Sequence, residues 1–163
     1  MKTILFMRHA KSAWGAQYHS DFERPLNARG QRDAPMMAAF LAQHHLLPQH
    51  IVSSPAQRAR LTAEFIAREA RFQGQLLLDQ RIYLASPAML LDVIRDLPES
   101  VEVAMLVGHN PGMEDIIQRL GGGAVRMPTA AIASMRLYAD AWADAQENRA
   151  YLQWLIKPKM FRK

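Results

Sequence analysis

The chain has 163 residues, a mass of 18.5 kDa and no cysteine, which excludes disulfides, thiolate catalysis and cysteine-ligated metal sites. Half of the residues are apolar and 21% are charged, the balance of one folded domain over residues 1–163 rather than of a disordered chain. Basic residues outnumber acidic ones by 20 to 15, which favours an anionic partner. No apolar run approaches the ~18 residues that span a bilayer, and the composition is compatible with a reducing, cytoplasmic location.

Six short apolar or β-branched runs predict strands, at residues 2–8, 51–53, 75–78, 101–107, 132–138 and 151–156. Helical patterns fall between them, at residues 27–45, 54–71, 86–96 and from 110 to the glycines at 121–123. A helical turn or loop is expected at residues 139–148. Strand and helix thus alternate four times before two final strands.

Local signals bound three of these helices. Pro35 is expected either to kink the first helix or to mark its start. Ser54 and Ser86 each precede a proline, which predicts serine as the N-cap and proline as the first helical residue. The glycine triplet Gly121 to Gly123 is expected to end the fourth helix.

The alternation predicts an α/β fold: a three-layer α/β/α sandwich with a mostly parallel central sheet. Ligands of such folds bind outside the carboxyl ends of the strands. Three loops that follow predicted strands are therefore the candidate site, at residues 8–12, 53–58 and 108–112.

These loops contain two histidines and two arginines. His9 and His109 each follow a buried strand directly, so both are expected to face one cleft, with Arg8 and Arg58 beside them. A neutral imidazole can attack phosphorus, and guanidinium groups can stabilise the charge on the phosphoryl oxygens without a metal ion. Arg58 lies in the first turn of a predicted helix, where a cation opposes the helix dipole, and this favours a bound anion there.

The same residues resemble the histidine phosphatase superfamily, the phosphoglycerate mutase-like proteins, and most of all its short SixA-type branch of phosphohistidine phosphatases. The opening Arg-His signature is present, with Ala10 where the family usually has glycine. Five stretches occur in the family's order and cover nearly the whole chain: residues 5–12, 21–30, 53–62, 107–111 and 128–133.

The resemblance implies that His9 is the nucleophile that becomes phosphorylated, that Arg8 and Arg58 bind the phosphoryl group, and that His109 stabilises the transition state. It implies no metal and no other cofactor. Larger relatives supply a carboxylate as general acid from the region after the third strand, but residues 79–83 of this chain give no clear match. SixA-type members often lack that group.

Three further residues are weaker candidates for substrate contact. Arg24 is expected either at the rim of the pocket or in a surface pair with Asp21 or Glu23. Lys11 and Ser12 are either substrate contacts or spectators in the loop. The basic C-terminal stretch, residues 157–163, is expected to be a solvated terminus, with contact to nucleic acid or an acidic partner as the alternative.

The leading interpretation is a metal-independent phosphatase that acts on phosphohistidine of a partner protein, such as a phosphotransfer domain or phosphocarrier. The chain has no room for the large helical insertion that covers the pocket of sugar-phosphate mutases, so an open cleft is expected. The alternative within enzymes is a broad phosphomonoesterase for small substrates. From another class, a non-catalytic module for phosphate or nucleic acid is less favoured, because a binding module needs no nucleophilic histidine.

Overall fold

A six-stranded sheet organises the computed structural model, which describes residues 1–15 and 17–162. The strands are β1 (Thr3–Arg8), β2 (His50–Ser53), β3 (Gln75–Leu78), β4 (Val103–Gly108), β5 (Ile132–Leu137) and β6 (Ala150–Ile156). The helices are α1 (Ala28–Gln43), α2 (Gln57–Glu69), α3 (Pro87–Arg95) and α4 (Gly112–Ile117). The strand order is β3-β2-β4-β1-β5-β6. Strands β1 to β4 are parallel to one another, and β5 pairs antiparallel with both β1 and β6. This confirms the predicted α/β fold with a mostly parallel sheet.

The sheet buries both of its faces. Along β1, Ile4 and Phe6 pack into the hydrophobic cluster that contains α3 and α4. Leu5 and Met7 point the other way, into the cluster that contains α1 and α2. Because successive side chains of a strand alternate between faces, a continuous apolar run such as β1 fits only a strand covered on both sides.

The first helix begins at Ala28, one residue after the predicted boundary. The Asn27 side chain accepts a hydrogen bond from the Gly30 amide at 2.9 Å, the usual role of an N-cap. Gly30 packs against the backbone of Lys11, and a Cβ at that position would collide with it. Pro35 lies inside α1, so the prediction that it marks the helix start is wrong.

The start of α2 also differs from the prediction. Ser54 and Pro55 do not begin this helix, which starts at Gln57 with Ala56 as the N-cap. The hydroxyl of Ser54 accepts from the Ala56 amide at 3.2 Å and contacts a residue of another loop instead. The equivalent prediction for α3 is confirmed, because the Ser86 side chain caps the helix and Pro87 is its first residue.

The fourth helix ends at the glycines, as predicted. It continues from α4 as a π-helical turn, Gln118–Gly122. Gly121 has φ of +117°, and a Cβ there would approach the Ala150 carbonyl oxygen to 2.6 Å. Only glycine fits this position without displacing the backbone.

Connections at the carboxyl edge of the sheet are short. The segment between β1 and α1, residues 9–27, contains one 3-10 turn in its described part, Asp21–Glu23. Residues 80–82 form a similar turn after β3. No large helical insertion covers this edge in the described residues, and none of the described helices is long and apolar enough to cross a membrane.

The basic C-terminal stretch is docked on α1 in its described part. Arg162 binds the fully buried Asp33 carboxylate at 2.7 Å, and the ring of Phe161 lies 5.2 Å from that of Phe40. Residues 159–162 are exposed, as expected of a solvated terminus, but Arg162 and Phe161 also contact α1; Lys163 lies outside the described residues.

Candidate active site

Three loops meet at the carboxyl edge because β1, β4 and β2 are adjacent and in register. Arg8 lies opposite Gly108, and Ser53 lies opposite Val107. His9 and His109 therefore leave the sheet side by side, and their ring centroids are 5.2 Å apart. The structure brings together the two histidines that stand 100 residues apart in the sequence.

His9 is buried, with 6% of its surface exposed, and its tautomer is set by the backbone. Its Nδ1 lies 2.8 Å from the Ala10 carbonyl oxygen. Since a carbonyl can only accept, Nδ1 carries the proton and Nε2 keeps its lone pair. Burial, together with the nearby His109, Arg58 and Arg8, lowers the pKa of His9 to about 3. At neutral pH the ring is therefore uncharged.

A hydrogen-bond chain holds the loop of His9 against α2. The Ala10 amide donates to Thr62 Oγ1 at 2.9 Å, and the Thr62 hydroxyl donates to the Arg58 carbonyl at 2.7 Å. Ala10 itself is fully buried. The Thr62 hydroxyl thus links the two loops that carry His9 and Arg58.

His109 is buried and is oriented by Ser54. Its Nε2 lies 2.8 Å from Ser54 Oγ, which already accepts from the Ala56 amide. The Ser54 hydroxyl can donate its proton to Nε2, and in that tautomer His109 carries its own proton on Nδ1. Burial and the charge of Arg58 lower the pKa of His109 to about 4. Nδ1 is buried and has no partner among the described residues, so it is available as a donor to a ligand.

Three arginines surround the imidazoles. Arg58 and Arg24 are only 4% and 7% exposed, and Arg8 is half-buried. The Nε atoms of all three are buried without a hydrogen-bond partner in the part of the chain that the structure describes. Burial lowers the pKa of Arg8, and the positive charge of Arg58 contributes to that shift. Burial of several guanidinium groups close together is unfavourable. A dianionic ligand such as a phosphoryl group would offset that cost, because it accepts hydrogen bonds from them and neutralises their charge.

Arg24 is buried and forms the predicted pair with Asp21. Its guanidinium binds the hydroxyl of buried Ser12 and lies 3.1 Å from Asp21 Oδ1. Ser12 is thus a hydrogen-bond partner of Arg24. Lys11 is partly buried, and its carbonyl accepts from the Asn27 amide at 3.0 Å.

Asp21 and Tyr83 contact the site residues, although the sequence predicted Asp21 only as a surface partner of Arg24 and no role for Tyr83. The Arg58 guanidinium donates to the Asp21 backbone carbonyl oxygen at 2.6 Å and to Asp21 Oδ2 at 3.0 Å. The Tyr83 hydroxyl also donates to Oδ2, at 3.0 Å. The Tyr83 ring also packs edge-on against His109, with centroids 5.6 Å apart. Asp21 stands three residues before Arg24, and this spacing is the signal that could have found it.

The region after β3 brings no carboxylate to the imidazoles. Asp79 is bound by Arg81 at 2.8 Å, and Arg81 binds Asp96 in turn at 2.7 Å. The hydrogen bonds from Arg81 lower the pKa of Asp79, so this carboxylate stays ionised. Within residues 1–15 and 17–162, no three histidine or carboxylate side chains lie close enough together to hold a metal ion.

Comparisons with known proteins agree with this site. The family model of the histidine phosphatase superfamily (branch 1) matches residues 4–81. An uncharacterised protein of Mycobacterium tuberculosis is 31% identical over 164 aligned residues, which cover 94% of this chain and 100% of the relative. The fold and the sequence together show that the chain belongs to the histidine phosphatase superfamily, whose members include phosphatases.

Solved structures place the chain more narrowly. A protein of Agrobacterium tumefaciens assigned as the phosphohistidine phosphatase SixA has a TM-score of 0.82 and 28% identity, and the match covers 96% of this chain and 98% of that one. The protein histidine phosphatase SixA in complex with tungstate has the same fold, with a TM-score of 0.85, 21% identity and coverage of 98% and 99%. The chain is a phosphatase of the SixA type within the superfamily.

Proposed function

We propose that this phosphatase removes the phosphoryl group from phosphohistidine on a partner protein, through a covalent phosphohistidine at His9. The observation that carries the proposal is a pair of neutral, buried imidazoles ringed by arginines, with no protonated carboxyl group beside them. Such a pocket can bind and transfer a phosphoryl group but offers little help to a leaving alkoxide, which needs a proton.

The first step exchanges one imidazole for another on phosphorus. His9 Nε2 attacks, the bond from phosphorus to the substrate nitrogen breaks, and its electron pair stays on the leaving imidazole. The proton of His9 stays on Nδ1 and is donated in a hydrogen bond to the Ala10 carbonyl oxygen, which stabilises the positive ring. Arg8, Arg58 and the Nδ1 proton of His109 contact the phosphoryl oxygens, where charge is spread in the transition state.

The second step releases phosphate. Water attacks the phosphorus of phosphorylated His9, the electron pair of the broken bond returns to Nε2, and both water protons leave with the phosphate. His9 is then neutral again, with Nδ1 still protonated. No metal ion takes part in this sequence.

A comparison of two substrate classes tests the proposal. The protein is assayed with a phosphohistidine-containing protein and with alkyl phosphomonoesters such as phosphoserine and sugar phosphates. We expect kcat/KM to be at least about 100-fold higher for phosphohistidine, the usual scale of general acid catalysis that the alkyl esters would miss here. Equal or faster turnover of the alkyl esters would overturn the proposal in favour of a small-molecule phosphomonoesterase.

The mouth of the pocket fits a protein partner. Trp14 is 75% exposed, and the Arg24 guanidinium lies 3.9 Å from the centre of its ring. Leu84 follows Tyr83 in the chain and is also 75% exposed, with φ of +55°. A bulky side chain in the left-handed region is costly, and so is an exposed apolar one. Both features at Leu84, next to the pocket, favour contact with an apolar surface of the phosphorylated protein.

Leu84→Asn tests this contact without loss of folding. Asparagine tolerates a positive φ far better than leucine, so the thermal stability is expected to stay equal or to rise. We expect kcat/KM for a phosphohistidine protein to fall about tenfold, while that for free phosphohistidine changes less than twofold. Tyr138→Asn is the control, because Tyr138 is exposed at the opposite end of β1, where Leu137 pairs with Lys2. An equal loss on both substrates would contradict a docking role.

The low pKa values of His9 and His109 predict acid-tolerant activity. Their pKa values, about 3 and about 4, leave both rings uncharged well below pH 6.5, where an ordinary histidine becomes protonated. The acid limb of kcat/KM, corrected for ionisation of the substrate, is expected below pH 5. The unfolded chain takes up protons at these histidines below about pH 6.5 and the folded chain does not, so the melting temperature should fall as the pH decreases from there. An acid limb near pH 6.5 would show that an essential imidazole has an ordinary pKa.

A further inference from the structure

The Asp21 carboxylate lies on the exposed side of the arginine cluster, bound to Arg58. Its side chain is 50% exposed, whereas His9 lies at the closed end with 6% of its surface exposed. Asp21 is nevertheless held by three donors from different parts of the chain, Arg24, Arg58 and Tyr83. An exposed carboxylate is rarely held by two buried arginines, and this arrangement suggests a role for Asp21 in the site.

In-line attack sends the leaving group away from the nucleophile, and so from buried His9 towards the exposed side of the site. A phosphoryl group bound by Arg58 would lie beside Asp21, because the same guanidinium donates to Asp21 Oδ2 at 3.0 Å. The carboxylate is therefore next to the leaving group in the transition state.

The hydrogen bonds of Asp21 leave it able to accept one more donor. Oδ2 accepts from Arg58 and Tyr83, whereas Oδ1 accepts only from Arg24. A carboxylate oxygen can accept two hydrogen bonds, so Oδ1 has room for another. Burial alone would raise the pKa of Asp21, but the hydrogen bonds from Tyr83 and Arg58 outweigh it and the pKa is lowered. The group is an acceptor and not a proton donor at neutral pH.

We propose that Asp21 selects nitrogen-linked phosphoryl groups, because its carboxylate accepts the N–H of the leaving imidazolium ring. This inference rests on the proposed function and names the residue that makes the pocket favour phosphohistidine over esters. The leaving ring keeps the proton on its distal nitrogen, the electron pair of the broken bond goes to the nitrogen that carried phosphorus, and a neutral imidazole departs. Asp21 then accepts a hydrogen bond from the leaving ring, just as the Ala10 carbonyl accepts one from the His9 ring.

An ester gains nothing from this carboxylate. The leaving group of a serine or sugar phosphate has no N–H to donate to Asp21, and the negative charge of Asp21 repels the developing alkoxide. The carboxylate also competes with any phosphoryl group for Arg58. Asp21 should thus favour one substrate class and oppose the other.

The test is Asp21→Asn, measured on a phosphohistidine peptide and on p-nitrophenyl phosphate, whose leaving group needs no proton. We expect kcat/KM for the peptide to fall about 30-fold and kcat/KM for the aryl phosphate to rise severalfold, so that their ratio falls about 100-fold. The matched control is Glu23→Gln, which removes the same charge from the exposed side of the same 3-10 turn and should leave the ratio unchanged. A parallel loss on both substrates, or no change in the ratio, overturns the proposal.

The pH profile gives a second readout that a purely structural role would not move. Asp21 raises the pKa of the bound phosphoimidazole, so the alkaline limb of kcat/KM for the peptide should move to lower pH in Asp21→Asn. An unshifted limb would contradict the contact. If the proposed function itself is wrong, the wild-type protein will turn over phosphohistidine poorly. That outcome is distinct from the substrate ratio and from the pH profile of Asp21→Asn.

Discussion

Replacement of His9 by alanine is expected to abolish turnover, with a loss of about 10⁴-fold or more, as is usual when a covalent nucleophile is removed. The physical reason is the tautomer of His9. Because Nδ1 donates its proton to the Ala10 carbonyl in a hydrogen bond, Nε2 keeps the lone pair that attacks phosphorus. The same variant should show no covalent label. The wild-type protein, quenched at alkaline pH during turnover of a phosphohistidine substrate, should carry phosphate on His9.

The control for this experiment is His44→Ala, an exposed histidine that follows α1. It should retain full activity and full labelling. Label on His109 or on any residue other than His9 in the wild type would disprove the assignment. Full activity of His9→Ala would disprove the covalent route itself.

Loss of Arg58 is expected to have the second largest effect, with kcat/KM lowered about 10³-fold in Arg58→Ala, at the upper end of what one preorganised donor contributes. Arg58 is 4% exposed and aims two nitrogens at the mouth of the pocket, where they hold Asp21. Its removal takes a cation from the phosphoryl group and leaves the negative charge of Asp21 without one of its partners. Both changes oppose the binding of a dianion.

Two further variants show whether charge or geometry is responsible. Arg58→Lys keeps the charge but not the planar fork, so it should recover only part of the activity. Arg60→Ala removes an exposed arginine of the same helix, which pairs with Glu64 at 2.7 Å, and should behave as the wild type. Loss of activity in Arg60→Ala would indicate a general effect of helix charge and not a pocket contact.

The parts of the fold that were predicted correctly are those with local signals. The run of β1 is apolar at every buried position, and the Ser86-Pro87 pair both caps and begins α3. Parallel strands then determine where the loops go, because their carboxyl ends share one edge. For this reason His9 and His109 could be placed at one cleft without a structure.

The errors arise where a distant partner competes for a residue. Ser54 has the local pattern of an N-cap, but its hydroxyl bonds His109 from the other side of the pocket, and α2 starts three residues later. The pair of Arg24 with Asp21 was one of two predicted alternatives and is present, but the burial of Arg24 against Ser12 and the ring of Trp14 was not predicted.

By itself the sequence determined the class of fold, the edge of the sheet that carries the site and the two histidines and arginines at its centre, because these depend on periodicity and on motifs within one loop. Only the tertiary structure decided what surrounds them. Asp21 and Tyr83 stand 62 residues apart and meet through one hydrogen bond, and the tautomers of His9 and His109 depend on which oxygen each ring nitrogen faces. Such contacts join loops from separate strands, and no local pattern of residues encodes them.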